Sequence, residues 1–304
     1  MATIAVTRAA LAGFGVLRRK PWAPVVWSGL YIVVLVAILA LVGGAFLTAI
    51  GKINASAAHP LPPEQILGLF GAVFVGYFVM ILAFWVIGAV VNMAVVRAVL
   101  EPEAAAFAYM RLGAAELWLM AANFVLYILY LLGSMAVAIP IGIAAGMTAL
   151  VWRDGAPFVS LSLQVVTWGV TIWLWLRFCM IPPMILAERR FRLFESWTMT
   201  RGHVGSLFGV GAILFLASLA VYVVLAGIGL AIGWPMFQQL GSTFSPRAFI
   251  TQAPAQVWRE MTPFLALYAG LVWIGSIVLL PVSFAPWAEV YRQLTHGELA
   301  ATFS

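Results

Sequence analysis

The chain has 304 residues, of which 64% are apolar and only 9% charged; a soluble domain needs roughly 25% charged residues to cover its surface, so the missing solvent is lipid and no separate water-soluble domain fits in the remainder. The net charge of +6 comes from residues flanking apolar spans rather than from a soluble basic patch, which excludes nucleic acid as a partner. A lone Cys179 excludes an intramolecular disulfide and a cysteine-rich metal site.

The first residues carry Ile4, Leu11 and Phe14 at spacings that predict a weakly amphipathic helix. Arg18, Arg19 and Lys20 precede the first span, within residues 24–50. That span is far longer than the ~7–15-residue core of a signal peptide, so it reads as an uncleaved anchor despite Ala55-Ser56-Ala57 behind it. The second span lies within 66–96. Residues 103–111 predict another short surface helix, with Ala106, Phe107 and Met110 on its apolar side. The third span lies within 117–152, an uncharged run of 36 residues. As one helix it would measure ~54 Å, too long for an upright crossing and too short for two crossings with a turn. Gly133, Ser134 and Pro140 offer kink sites, so a single tilted or broken crossing is expected.

The fourth span lies within 158–181 with Arg177 inside or near it, and Pro182 and Pro183 are expected to stop the helix and turn the chain into the interface. Residues 191–201 predict an amphipathic interfacial helix. Phe191, Leu193, Phe194 and Trp197 would share its apolar arc, and Arg192, Glu195, Ser196 and Thr200 its polar one. The fifth and sixth spans lie within 204–234 and 263–288. The fold expected is therefore an all-α polytopic transmembrane bundle of six spans with short interfacial helices.

With the N-terminus inside, eleven basic residues face the cytoplasm: Arg8, Arg18, Arg19, Lys20, Arg97, Arg111, Arg189, Arg190, Arg192, Arg201 and Arg292. Four face outward: Lys52, Arg153, Arg247 and Arg259. Positive charge stays cytoplasmic, so both termini are predicted there. Trp22, Trp27, Trp118, Trp197 and Trp287 would form the inner aromatic belt, and Trp152, Trp234 and Trp258 the outer one. The similar connections suggest tandem units 1–97, 98–190 and 191–304 within one membrane domain, with Gly113 and Gly202 at comparable corners; the same alternation also follows from topology alone.

One segment carries a resemblance. It runs through Arg177-Phe178-Cys179-Met180-Ile181-Pro182-Pro183, then Phe194-Glu195-Ser196-Trp197-Thr198-Met199-Thr200-Arg201-Gly202, then Leu207-Phe208-Gly209. It resembles the membrane domain of bacterial glycerophosphoryl diester phosphodiesterases and related uncharacterised multi-span proteins, with residues 107–113 similar to a counterpart loop. The resemblance implies a bacterial inner-membrane protein but no activity, because catalysis in that family belongs to a separate soluble barrel.

Catalytic groups are sparse. His59, His203 and His296 are separated by topology, and no His-Glu-x-x-His, Gly-x-Ser-x-Gly or phosphate-loop motif occurs. No acidic residue lies deep in a span, as a proton relay would need. No cofactor is implied, and the chain is expected not to be an enzyme. Arg177 stands out, since a charge in hydrocarbon costs about 2.5–3.5 kcal/mol. It would snorkel to the headgroups, pair with Glu188, Glu195 or Glu289, or meet a lipid phosphate. The candidate charge site is thus Arg177, Glu188, Ser196, Trp197 and Arg201. Glycine pairs 142/146, 205/209 and 229/233 predict close helix packing within the chain or in a dimer. Asn92, Asn123 and Gln164 should face neighbouring helices. Expected partners are membrane lipids, a membrane protein or a second copy. The expected role is lipid organisation or service to a partner, with a transporter or lipid translocator as the alternative.

Overall fold

A computed structural model describes residues 4–55, 62–104, 106–152, 155–243 and 254–302. His59, Arg153 and Arg247 lie outside the described residues, as does the side chain of His296. The helices are α1 (Val6–Ala10), α2 (Ala12–Arg19), α3 (Trp22–Ala55), α4 (Pro63–Leu100), α5 (Ala114–Val151), α6 (Ala156–Phe178), α7 (Ile181–Glu188), α8 (Glu195–Met199), α9 (Val204–Thr243) and α10 (Pro254–Thr302). Among the described residues six helical stretches are long and apolar enough to cross a membrane. Consecutive long helices pack as pairs, α3 with α4, α5 with α6 and α9 with α10, while α10 also touches α2, α3 and α4.

The short helices α1 and α2 rest on α9 and α10. The Ala5 N–H donates to Gln293 Oε1 at 2.9 Å, so the start of the chain and the last part of α10 share one end of the bundle. The buried core gathers there. One cluster surrounds Met180, Leu207 and Val290. A second joins Met93, Leu119 and Ile185, and a third joins Trp27, Val95 and Ala285. Residues 8–20, 97, 189–192 and 292 bring most of the arginines to this same end, called here the basic end. Away from it the helices expose long apolar faces. Lipid solvates such faces as well as another helix would, so apolar burial gives no drive to close them.

Several expectations change. The third span is a single helix as expected, but it is unbroken at Gly133 and Pro140, because a single missing N–H can be tolerated where neighbouring turns still hold. Among the described residues of 103–111 only Ala106–Tyr109 makes a helical turn, a 3-10 one, and it is not the right-handed surface helix expected. Instead Phe107, Ala108 and Tyr109 take successive left-handed conformations, with φ of 49°, 54° and 64°. Pro182 and Pro183 do not end a helix but open α7, whose N-terminal turn needs no N–H from them. The chain turns before them, at Cys179 and Met180, and α7 is packed in the core rather than on the surface.

Of residues 191–201 only Glu195–Met199 is helical. Leu193 is buried while Phe191 and Phe194 are exposed, and Ser196, assigned to the polar face, is fully buried. Of the apolar residues expected to form a face around α1 and α2, Ile4 packs against the core. Leu11 and Phe14 are exposed, whereas Ala9, Ala10, Gly13 and Val16 are buried. Close packing on α10 selects the small residues. The aromatic belt is partial, since Trp27 and Trp287 are buried while Trp22, Trp118, Trp152 and Trp234 are exposed. The glycine pairs divide too. Gly142 and Gly146 meet nothing within 4 Å, while Gly209 packs on Val6 and Gly229 on Leu271. Gln164 is exposed, and Asn92 is turned inward with a buried Oδ1 that lacks a hydrogen-bond partner. The corners Gly113 and Gly202 are unlike. Gly202 has φ of +86°, which a side chain would strain, whereas Gly113 is extended and caps α5.

Candidate functional site

Arg177 lies in the last turn of α6, one turn beyond Trp173, and that turn meets α8. A helix leaves its last four carbonyls without intrahelical partners. The Ser196 hydroxyl donates to the Arg177 carbonyl at 2.7 Å, which explains why a serine sits buried on α8. The Thr200 hydroxyl in turn donates to the Ser196 carbonyl at 2.9 Å. This bond places Trp197 beside the guanidinium. Arg177 Cζ lies 5.4 Å from the Trp173 ring centroid and 5.1 Å from that of Trp197. The two indoles meet edge-on, 5.1 Å apart at 89°, and Phe178 closes against Trp197 at 5.9 Å.

The result is an aromatic cage around a permanent positive charge. Indole faces attract a guanidinium by about 0.5–1 kcal/mol each in water and by about 2 or more when desolvated. They do not replace hydrogen bonds. Arg177 Nε and Nη1 are buried with no hydrogen-bond partner, so Nη2 is the nitrogen left for an outside acceptor.

Each carboxylate expected to pair with Arg177 is held elsewhere. Glu188 and Glu195 both pair with Arg192, at 2.7 and 3.3 Å. Glu289 pairs with Arg8 at 3.3 Å and with Arg292. Of the five predicted site residues the structure brings Arg177, Ser196 and Trp197 together. Glu188 belongs to the Arg192 pair, and Arg201 is exposed in the following turn, outside these contacts.

A second polar cluster at the basic end had no forecast. Arg97, at the end of α4, pairs with Glu116 in the first turn of α5, and both side chains are buried. Glu116 Oε2 also accepts the Gly113 N–H at 3.0 Å. Arg97 Nη1 donates to the Tyr109 carbonyl at 3.1 Å, and Trp27 Nε1 donates to the Ala108 carbonyl at 2.7 Å. The Tyr109 hydroxyl donates to Pro102 O at 2.9 Å. Left-handed backbone costs roughly 1–2 kcal/mol per non-glycine residue. Here the turn is held by donors from α3 and α4 that would otherwise be buried without partners. The available signal was an acidic residue three positions after Gly113, a helix-start pattern; its partner on the other side of the loop left no local trace.

Among the described residues no three His, Cys, Asp or Glu side chains gather as metal ligands. A cavity of about 760 Å³ opens between α3, α9 and α10. Tyr31, Tyr222, Tyr268, Ser276 and Ser283 supply its hydroxyls, and the rest of the lining has no charged side chain. No family model, curated protein or solved structure matches the chain; its six long apolar helices establish a multi-pass helical membrane protein.

Proposed function

We propose that this chain is a non-enzymatic protein of the bacterial inner membrane that binds anionic lipid at its basic end and organises it there, with both termini in the cytoplasm. The single observation that carries the reading is the Arg177 cage. Its charge has no carboxylate partner among the described residues, its Nε and Nη1 are buried without acceptors, and it lies in the last turn of a long apolar helix. A lipid phosphate reached through Nη2 supplies the missing counter-charge and an acceptor for that nitrogen. The residues behind the resemblance to the phosphodiesterase membrane domains are also the ones that build the cage. Arg177, Ser196 and Trp197 form it, and Thr200 and Gly202 shape the turn behind it.

The test is native mass spectrometry of protein taken from nanodiscs containing equal phosphatidylglycerol and phosphatidylcholine. Wild type should retain phosphatidylglycerol preferentially, and Arg177→Leu should lose that preference while its thermal unfolding stays close to wild type. Equal retention by both proteins would overturn the reading.

The cavity between α3, α9 and α10 favours a second reading, a lipid translocator. Its apolar lining suits an acyl chain and its hydroxyls suit an ester or a water. Scramblase activity in liposomes, lost on Gly229→Phe, would favour it over lipid organisation.

A further inference from the structure

At the basic end, away from Arg177, the N-terminal helices and α10 enclose a cleft of about 360 Å³. That size falls within the ~300–1,000 Å³ range of small-molecule sites. Arg8 from α1, Arg19 and Lys20 from the end of α2, and Arg292 from α10 line it, with Glu289 and Tyr109 beside them. Arg8, Arg19 and Lys20 are open to solvent, so a ligand can reach them. The four basic residues come from three elements and line one hollow.

The hollow is also built to keep its shape. Gly13 lies so close to α10 that an added methyl would stand 2.5 Å from Val282 Cα and 2.6 Å from the Pro281 carbonyl. This backbone contact seats α2. Glu289 is buried, and its carboxylate is fully engaged. It pairs with Arg8 and Arg292 and accepts Gln293 Nε2 at 3.1 Å. It therefore holds the two arginines together, and its negative charge is outweighed by theirs. Arg19 and Lys20 have no ion pair among the described residues, and the lining holds three positive charges in excess of negative ones.

We infer that this cleft binds a molecule bearing two phosphate groups, either as the headgroup of a membrane lipid or as a free solute. A single phosphate monoanion would leave most of the excess charge unmet, and the volume exceeds what one phosphate fills. Arginine offers paired donors to phosphate oxygens, and lysine a point charge. The site is independent of Arg177 and uses none of the same residues.

The experiment compares wild type with the double variant Arg19→Gln/Lys20→Gln and a charge-matched control, Arg18→Gln/Arg111→Gln, whose residues lie outside the cleft. Isothermal titration in detergent with pyrophosphate and orthophosphate tests the solute source. Native mass spectrometry from nanodiscs of phosphatidylcholine with and without cardiolipin tests the lipid source. Wild type and the control should bind pyrophosphate at least ten-fold more tightly than orthophosphate, or retain cardiolipin. The cleft variant should lose at least ten-fold in pyrophosphate affinity, or lose the retained cardiolipin. Pyrophosphate binding alone assigns a solute, cardiolipin retention alone a lipid, and both together a headgroup that either source can present. Binding of neither probe, or equal weakening in the control, would overturn the inference. Arg177→Leu should leave both readouts unchanged, which separates this site from the cage.

Discussion

Gly13 shows how one hydrogen atom can decide the position of a segment. Its backbone touches α10 so closely that no side chain fits, whereas two residues further on Gly15 meets nothing within 4 Å. Replacing Gly13 by Ala forces the helices apart or strains them, and overpacking of this kind costs about 1–3 kcal/mol. Gly13→Ala should therefore lower the thermal unfolding midpoint of the purified protein. Gly15→Ala should leave it unchanged or slightly raised, since alanine favours the helix by about 1 kcal/mol. An equal fall in both would show that α2 is not seated through Gly13. Ser196 has the complementary lesson. Its place on a helical wheel suggested a solvated hydroxyl, but a wheel cannot show that the carbonyl ending another helix needs a donor.

At the scale of elements, α4 and α5 are joined by a buried ion pair, Arg97 with Glu116, beside their apolar contact. A buried charge left without its partner is strongly unfavourable, about 3–5 kcal/mol, while replacing both charges by apolar groups is often neutral. Glu116→Ala should therefore destabilise the protein severely, and Arg97→Met/Glu116→Leu should recover most of the loss. A double-mutant cycle read by chemical unfolding in mixed micelles measures the coupling. Additive losses would mean that the pair contributes little. The long helices were legible in the sequence because hydropathy alone specifies them, and even Pro140 could not hide α5. The connections between them were not. Residues 103–111 and 191–201 look amphipathic, yet their shapes are set by Trp27, Arg97 and Arg177, distant residues whose donors and carbonyls had to be satisfied. Of the candidate site, Arg177 was visible as a charge out of place, and Ser196 and Trp197 as a motif. The competing claims of Arg192, Arg8 and Arg292 on the carboxylates arise only once the chain is folded.

For the whole molecule, the basic end collects the core, the ion pairs and both proposed anion sites. Its side of the membrane can be read with a reporter active only in the cytoplasm. Fusions at Arg18, Met110, Arg192 and the C-terminus should be active, and fusions at Ala57, Gly155 and Phe244 silent. Activity at Gly155 would invert the fourth span and break the charge asymmetry on which the proposed orientation rests.

The helix α5 has a further consequence. It runs for 38 residues yet buries only Glu116, Leu119 and Ala122, all near its start, and Trp85 supports it edge-on only as far as Phe124 and Tyr127. At 1.5 Å per residue it measures about 57 Å, nearly twice the ~30 Å of hydrocarbon in a typical bilayer. Such a rod leans or emerges, and its lean follows the thickness of the lipid around it. Because it is gripped at one end only, that change in angle is taken up along the free length of α5 and its companion α6. A thicker bilayer would stand the hairpin upright, and a thinner one would lay it down, while the packed end keeps its shape.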